Sequence, residues 1–107
     1  MKDSKVIASA FSSLAHPSRV DIFKCLLAHS PTGLNAGHLS SKTELPPSTL
    51  SHHLREMEAG GVVVRTVEGR RTIITLDLSN LITIANTLMH LCCAGESSNI
   101  NLTKRSR

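Results

Sequence analysis

A chain of 107 residues can bury a single core, and is small enough that a partner subunit would add to its stability. No apolar run is long enough to span a bilayer and the first residues lack a secretory core, so a soluble cytoplasmic protein is expected; twelve Lys and Arg against eight Asp and Glu leave a net charge of +4, which suits a polyanionic partner. With two Phe, no Tyr and no Trp, stacking of bases on exposed rings is excluded as a way of holding single strands, and duplex binding through phosphates and groove edges fits better.

From Ser4 to Leu14, the residues Val6, Ile7, Ala10, Phe11 and Leu14 recur at spacings of three and four, the apolar stripe of a first helix. His16-Pro17 interrupts it, and Pro17 suits the first turn of a second helix because its missing N–H is not needed there; Val20, Phe23, Leu26 and Leu27 are expected on the buried face. The cluster Ser30-Pro31-Thr32-Gly33 breaks that helix. Leu34-Asn35 then reads as staple and N-cap of a short third helix that runs to about Thr43, with Ala36 and Leu39 facing inward. After the turn Glu44-Leu45-Pro46-Pro47, a fourth helix points Leu50, Leu54 and Met57 at the core and leaves Ser48, Thr49, Ser51, His52 and Arg55 on its outer face, until Gly60-Gly61 ends it.

Residues 62–67 and 72–76 are rich in β-branched side chains and flank Glu68-Gly69-Arg70-Arg71, which predicts a β-hairpin with a basic tip. Ser79 or Asn80 is the expected cap of a last helix in which Leu81, Ile84, Ala85, Leu88, Leu91 and Cys92 form a stripe, widened by Ile82 and Met89. So wide a stripe on a terminal helix points to a partner. The single domain is expected to cover residues 1–95, with 96–107 a polar, disordered tail.

This order (helix, helix, short helix, tight turn, polar-faced helix, basic hairpin, helix) is mainly α with a β-hairpin wing: α1-α2-α3-α4-β-β-α5, the layout of a winged helix-turn-helix. The fourth helix would enter the major groove, where His52 or Arg55 donates to purine acceptors or phosphate and small polar side chains approach base edges. Arg70 and Arg71 at the tip, with Arg65 below them, would clamp the neighbouring backbone. An enzyme would need a nucleophile with its base, or paired carboxylates, in a pocket; the chain offers no such set, no Gly-rich phosphate loop and no Cys-x-x-Cys, so catalysis is not expected. A winged-helix module that contacts only protein is the rival of another class.

The stretches Leu14-Ala15-His16-Pro17-Ser18-Arg19, Ser48-Thr49-Leu50-Ser51-His52-His53-Leu54 and Glu68-Gly69-Arg70-Arg71 resemble the ArsR/SmtB family of metal-sensing repressors over about residues 4 to 95. The resemblance implies a winged fold, a homodimer joined through the first and last helices, and a repressor that leaves its operator when inducer binds. Carried over by position, it puts Pro47, Ser48, Thr49, Ser51 and His52 where the family reads DNA, and Arg70 and Arg71 in the wing. Glu44 departs from the glycine usual in that turn, and Pro47 from a common glutamine.

Cys92 and Cys93 are adjacent near the end of the last helix, and thiolates are the soft ligands that trivalent arsenic and antimony prefer. Neighbouring helical residues point about 100° apart, so both sulfurs close on one ion only if the helix end opens, for which Ala94-Gly95 is suited. A terminal Cys-Cys pair resembles one group of arsenic-responsive family members, which makes As(III), inorganic or methylated, the expected inducer. Cys25 is a possible third thiol, although its helical phase favours a core role. The competing readings are Cys92 packed as a small hydrophobe, a redox or persulfide sensor that pairs Cys25 with Cys92 or Cys93, and zinc held through histidines.

Overall fold

The computed structural model describes residues 2–96; of the expected tail 96–107, Glu96 is the last residue of the final helix and residues 97–107 lie outside the described ones. Five helices and three strands follow in the order α1 (Lys2–Leu14), α2 (Pro17–Ala28), β1 (Leu34–Asn35), α3 (Ala36–Thr43), α4 (Pro47–Ala59), β2 (Val63–Glu68), β3 (Arg71–Leu76) and α5 (Leu78–Glu96). The sheet is antiparallel with order β1-β3-β2.

Strand β1 is absent from the element order that the sequence suggests. Two residues are too few to show an alternating pattern, and β1 exists because β3 offers it a free edge: Leu34 pairs with Ile74 and Asn35 with Ile73. The same Asn35 caps α3, its side chain accepting the His38 N–H at 2.8 Å, so strand and helix meet at one residue.

Ile22, Leu26, Leu39, Leu50, Met57 and Ile74 are the large side chains at the centre of the core, contributed by α2, α3, α4 and β3. The buried face of α2 is rotated from the expected one. Ile22 is fully buried with Leu26, while Val20 and Leu27 are exposed, because α2 is apolar on more than one side and only packing against α3 and β3 selects the face. In α1 the stripe divides likewise: Ala10 is buried and Ile7 and Leu14 pack on the core, whereas Val6 and Phe11 face outward. Ala36, expected to face inward, is exposed at the start of α3.

Helices α1 and α4 meet at Gly60. A Cβ there would collide with Cβ and Oγ of Ser13 and with the Ser9 carbonyl, so the close approach of the two helices depends on the missing side chain. The left-handed conformation after α4 falls on Gly61, at φ 79°. Helix α5 is capped by Asp77 rather than by Ser79 or Asn80: its Oδ1 accepts the Asn80 N–H at 3.2 Å and the Ser79 hydroxyl at 3.1 Å. The Asn80 side chain is occupied elsewhere, donating to the Gly61 carbonyl at 2.9 Å and tying α5 to the end of α4. No helix among the described residues is long and apolar enough to cross a membrane.

Candidate nucleic-acid interface

Helix α4 begins at Pro47, whose fixed φ and absent N–H suit a first helical position, and Pro46 before it is extended. The turn from α3 runs through Glu44 in the left-handed region at φ 61°, the position where glycine is usual. Ser40 Oγ donates to the Leu45 carbonyl at 2.6 Å and Thr43 Oγ1 to the Leu39 carbonyl at 2.7 Å, so the turn is held by local hydrogen bonds despite its non-glycine residue.

Pro47, Ser48, Thr49, Ser51, His52 and Arg55 are all exposed, on the side of α4 opposite Leu50, Leu54 and Met57. The start of α3 stands between this helix and the wing. One cleft beside it is lined by Ala36, Gly37, Ser40, Pro47 and Ser51, and a second by Asn35, His38, Glu68 and Arg71. Residues at the start of α3 thus line one cleft with the first turn of α4 and another with the base of the hairpin tip. At the tip, Glu68 pairs with Arg71 across the two-residue turn Gly69-Arg70, and both arginines are exposed. Arg65 is different, because its Nε donates to Glu58 Oε1 at 2.9 Å and so fastens β2 to the last turn of α4. Its charge is matched locally, whereas Arg70 and Arg71 are exposed at the tip.

Sequence reasoning does not single out His53, yet it is 6% exposed and sits inside the apolar set of α4. Its Nδ1 accepts from Arg19 Nε at 3.0 Å, and its ring lies 4.8 Å from that of His16 and 5.8 Å from that of His52. Burial, then the charges of Arg19, His16 and His52, hold its pKa below the ordinary value of 6.5. A signal is present in the sequence: residues 50, 53, 54 and 57 follow the i, i+3, i+4, i+7 spacing of a buried face, with an imidazole in one of its four places.

Cys92 and Cys93 are exposed on α5, and Cys25 is half-buried against the core. Among the described residues no three His, Cys, Asp or Glu side chains are grouped so as to hold a metal ion.

A family profile described as a helix-turn-helix domain matches residues 14–66, from the end of α1 into β2. The HTH-type transcriptional regulator YgaV of Escherichia coli K12 is 30% identical over 86 residues, which are 80% of this chain and 85% of YgaV. This chain belongs to the ArsR/SmtB family of winged helix-turn-helix regulators. An ArsR-like transcriptional regulator from Rhodococcus sp. RHA1 superposes with a TM-score of 0.82 at 20% identity, over 92% of this chain and 90% of that one. The homodimeric DNA-binding domain of Mb0332 from Mycobacterium bovis, a possible ArsR-family regulator, gives 0.64 at 19% identity, over 82% and 80%. Against the ArsR fold, α4 is the second helix of the helix-turn-helix and the β2–β3 hairpin is the wing. The protein is accordingly a DNA-binding transcriptional regulator of the ArsR family.

Proposed function

We propose that this regulator is a repressor that binds operator DNA as a homodimer and releases it when trivalent arsenic, inorganic or methylated, is captured by Cys92 and Cys93. The observation that carries the DNA part is the exposed polar face of α4 together with the exposed arginines at the tip of the β2–β3 hairpin. Ser48, Thr49, Ser51 and His52, with Pro47 starting the helix, read base edges; Arg55 meets base or phosphate; Arg70 and Arg71 hold backbone, and Arg65 contributes less because of Glu58.

The dimer reading rests on Val6 and Phe11 of α1 and Ile82, Met89 and Leu91 of α5, large apolar side chains left exposed in the single chain. Covering them with a second copy is favourable by about 25 cal/mol per Å² of apolar surface. Mb0332, which is homodimeric, supports the pairing of two subunits. The two recognition helices would then lie about one DNA turn apart, and a change at α5 would alter that spacing.

The sensing reading rests on chemistry. Two soft thiols stand side by side, open to solvent, near the end of the helix that would join the subunits. A trivalent arsenical with two exchangeable positions matches two thiolates in number. Release from a fluorescent duplex, titrated with arsenite, methylarsenite, zinc and a persulfide donor, tests this in the wild type and in Cys25→Ser, Cys92→Ser and Cys93→Ser. Arsenicals should release the wild type and Cys25→Ser but not the other two. Release that survives in both Cys92→Ser and Cys93→Ser ends the arsenic reading, and release by persulfide alone that needs Cys25 replaces it with a redox sensor.

A further inference from the structure

Beneath α4, on the side away from the proposed DNA surface, the buried His53 gives the helix one polar attachment to its neighbours. Arg19 of α2 donates Nε to His53 Nδ1 at 3.0 Å and an Nη hydrogen to the Ser13 carbonyl at 3.4 Å. Ser13 is itself buried near the end of α1, its hydroxyl donating to the Ala10 carbonyl at 2.9 Å. One guanidinium thus joins α1, α2 and α4. Because Nε is always a donor, Nδ1 must hold a lone pair and the ring proton must be on Nε2.

We propose that Arg19 is a positioning residue for DNA reading, which holds α4 in register through an acceptor that exists only while His53 is neutral, so that affinity for DNA falls as the medium acidifies. This rests on α4 being the helix that reads DNA. The groups that face the ring are Arg19 from α2, His16 from the α1–α2 junction and His52 from α4 itself, all basic. His16 has a task of its own, its Nδ1 accepting the Ser18 N–H at 3.2 Å as the cap of α2. Protonation of His53 therefore converts the acceptor into a donor aimed at a guanidinium, inside a buried and positively charged pocket. The ring must leave, and Arg19 then no longer holds α4.

The direction of the effect is diagnostic. Exposed histidines on a DNA-binding surface gain charge as pH falls and strengthen phosphate binding. Arg19 and His53 act in the opposite sense.

The test uses the full chain and a duplex enriched by it from a random-sequence library at pH 7.5. Dissociation constants are measured at fixed salt from pH 7.5 to 5.5. Wild-type affinity should fall, approaching about tenfold per pH unit for each coupled proton once His53 titrates, and so up to about a hundredfold for a dimer with one His53 in each subunit. His53→Asn, which keeps an acceptor near Nδ1 but cannot titrate, should bind at pH 7.5 and lose the fall. Arg19→Lys, which keeps the charge but not the fork that spans His53 and Ser13, should bind more weakly at pH 7.5 with a shallower profile. A wild-type profile that is level or rises on acidification overturns the proposal, as does a fall of equal size in His53→Asn. Should that variant fail to fold, imidazole nitrogen NMR of the wild type decides. The Nε2–H tautomer at pH 7.5, with α4 amides shifting at the His53 midpoint, supports the proposal; the Nδ1–H tautomer overturns it. If no duplex is enriched, the DNA reading itself fails and the positioning role with it, whereas a bound duplex with a level profile defeats the positioning role alone.

Discussion

Two residues stand in places that their chemistry resists. Glu44 ends α3 at φ 61°, where a Cβ costs about 1–2 kcal/mol and glycine costs nothing sterically. Glycine gives back part of that through its freer unfolded chain, about 0.5–1 kcal/mol. Glu44→Gly should therefore stabilise the fold by about 0.5–1 kcal/mol, read as a higher urea midpoint with an unchanged slope. His53 makes stability depend on pH. Its folded pKa lies below 6.5, chiefly through burial, so on acidification the unfolded chain takes up a proton that the native state resists. Stability is greatest in this respect above pH 6.5 and declines as pH falls through that value toward the folded pKa. Urea midpoints at pH 7.5 and 5.5 should show the loss in the wild type and a smaller one in His53→Asn.

Among the elements, the packing of α1 on α4 depends on Gly60, where any side chain meets Ser13 and the α1 backbone. Gly60→Ala should destabilise by about 1–3 kcal/mol, the usual cost of overpacking a fitted interface, measured by thermal or urea unfolding. In the proposed binding mode the recognition helix and the wing divide the work. Arg70→Ala or Arg71→Ala should weaken all duplexes alike and lower the slope of log affinity against log salt by about 0.9 for each phosphate that is no longer neutralised. Replacing Ser51 or His52 should instead change preference at individual base pairs, by about 1–3 kcal/mol where the side chain makes a good bond to a base edge. Binding across a small operator library at two salt concentrations separates the two behaviours.

At the scale of the whole molecule, α5 is the element that a single chain leaves unfinished. Ile84 is its one residue in the core cluster and Leu81 and Leu88 pack against it, while Ile82, Met89 and Leu91 are exposed. Met89→Glu should shift the protein toward monomer in sedimentation and reduce affinity for a two-half-site duplex more than for a single half-site, since pairing is what brings two recognition helices to one operator. An equal reduction on both duplexes would point to damage within the subunit.

The order of helices and hairpin, the outward set on α4 and the basic tip were all legible in the sequence, because each is a local pattern: a period of 3.6, a proline at a helix start, a glycine in a turn. Tertiary structure decided what local pattern leaves degenerate. Helix α2 is apolar on two sides, and its neighbours chose Ile22 over Val20 and Leu27. Strand β1 needed the free edge of β3, Arg65 needed Glu58 from another element, and His53 became a buried acceptor only when α2 brought Arg19 against it. Periodicity reports which side of an element is apolar, whereas the partner that meets each polar atom is fixed by residues far apart in the chain, and only the packed molecule brings them together.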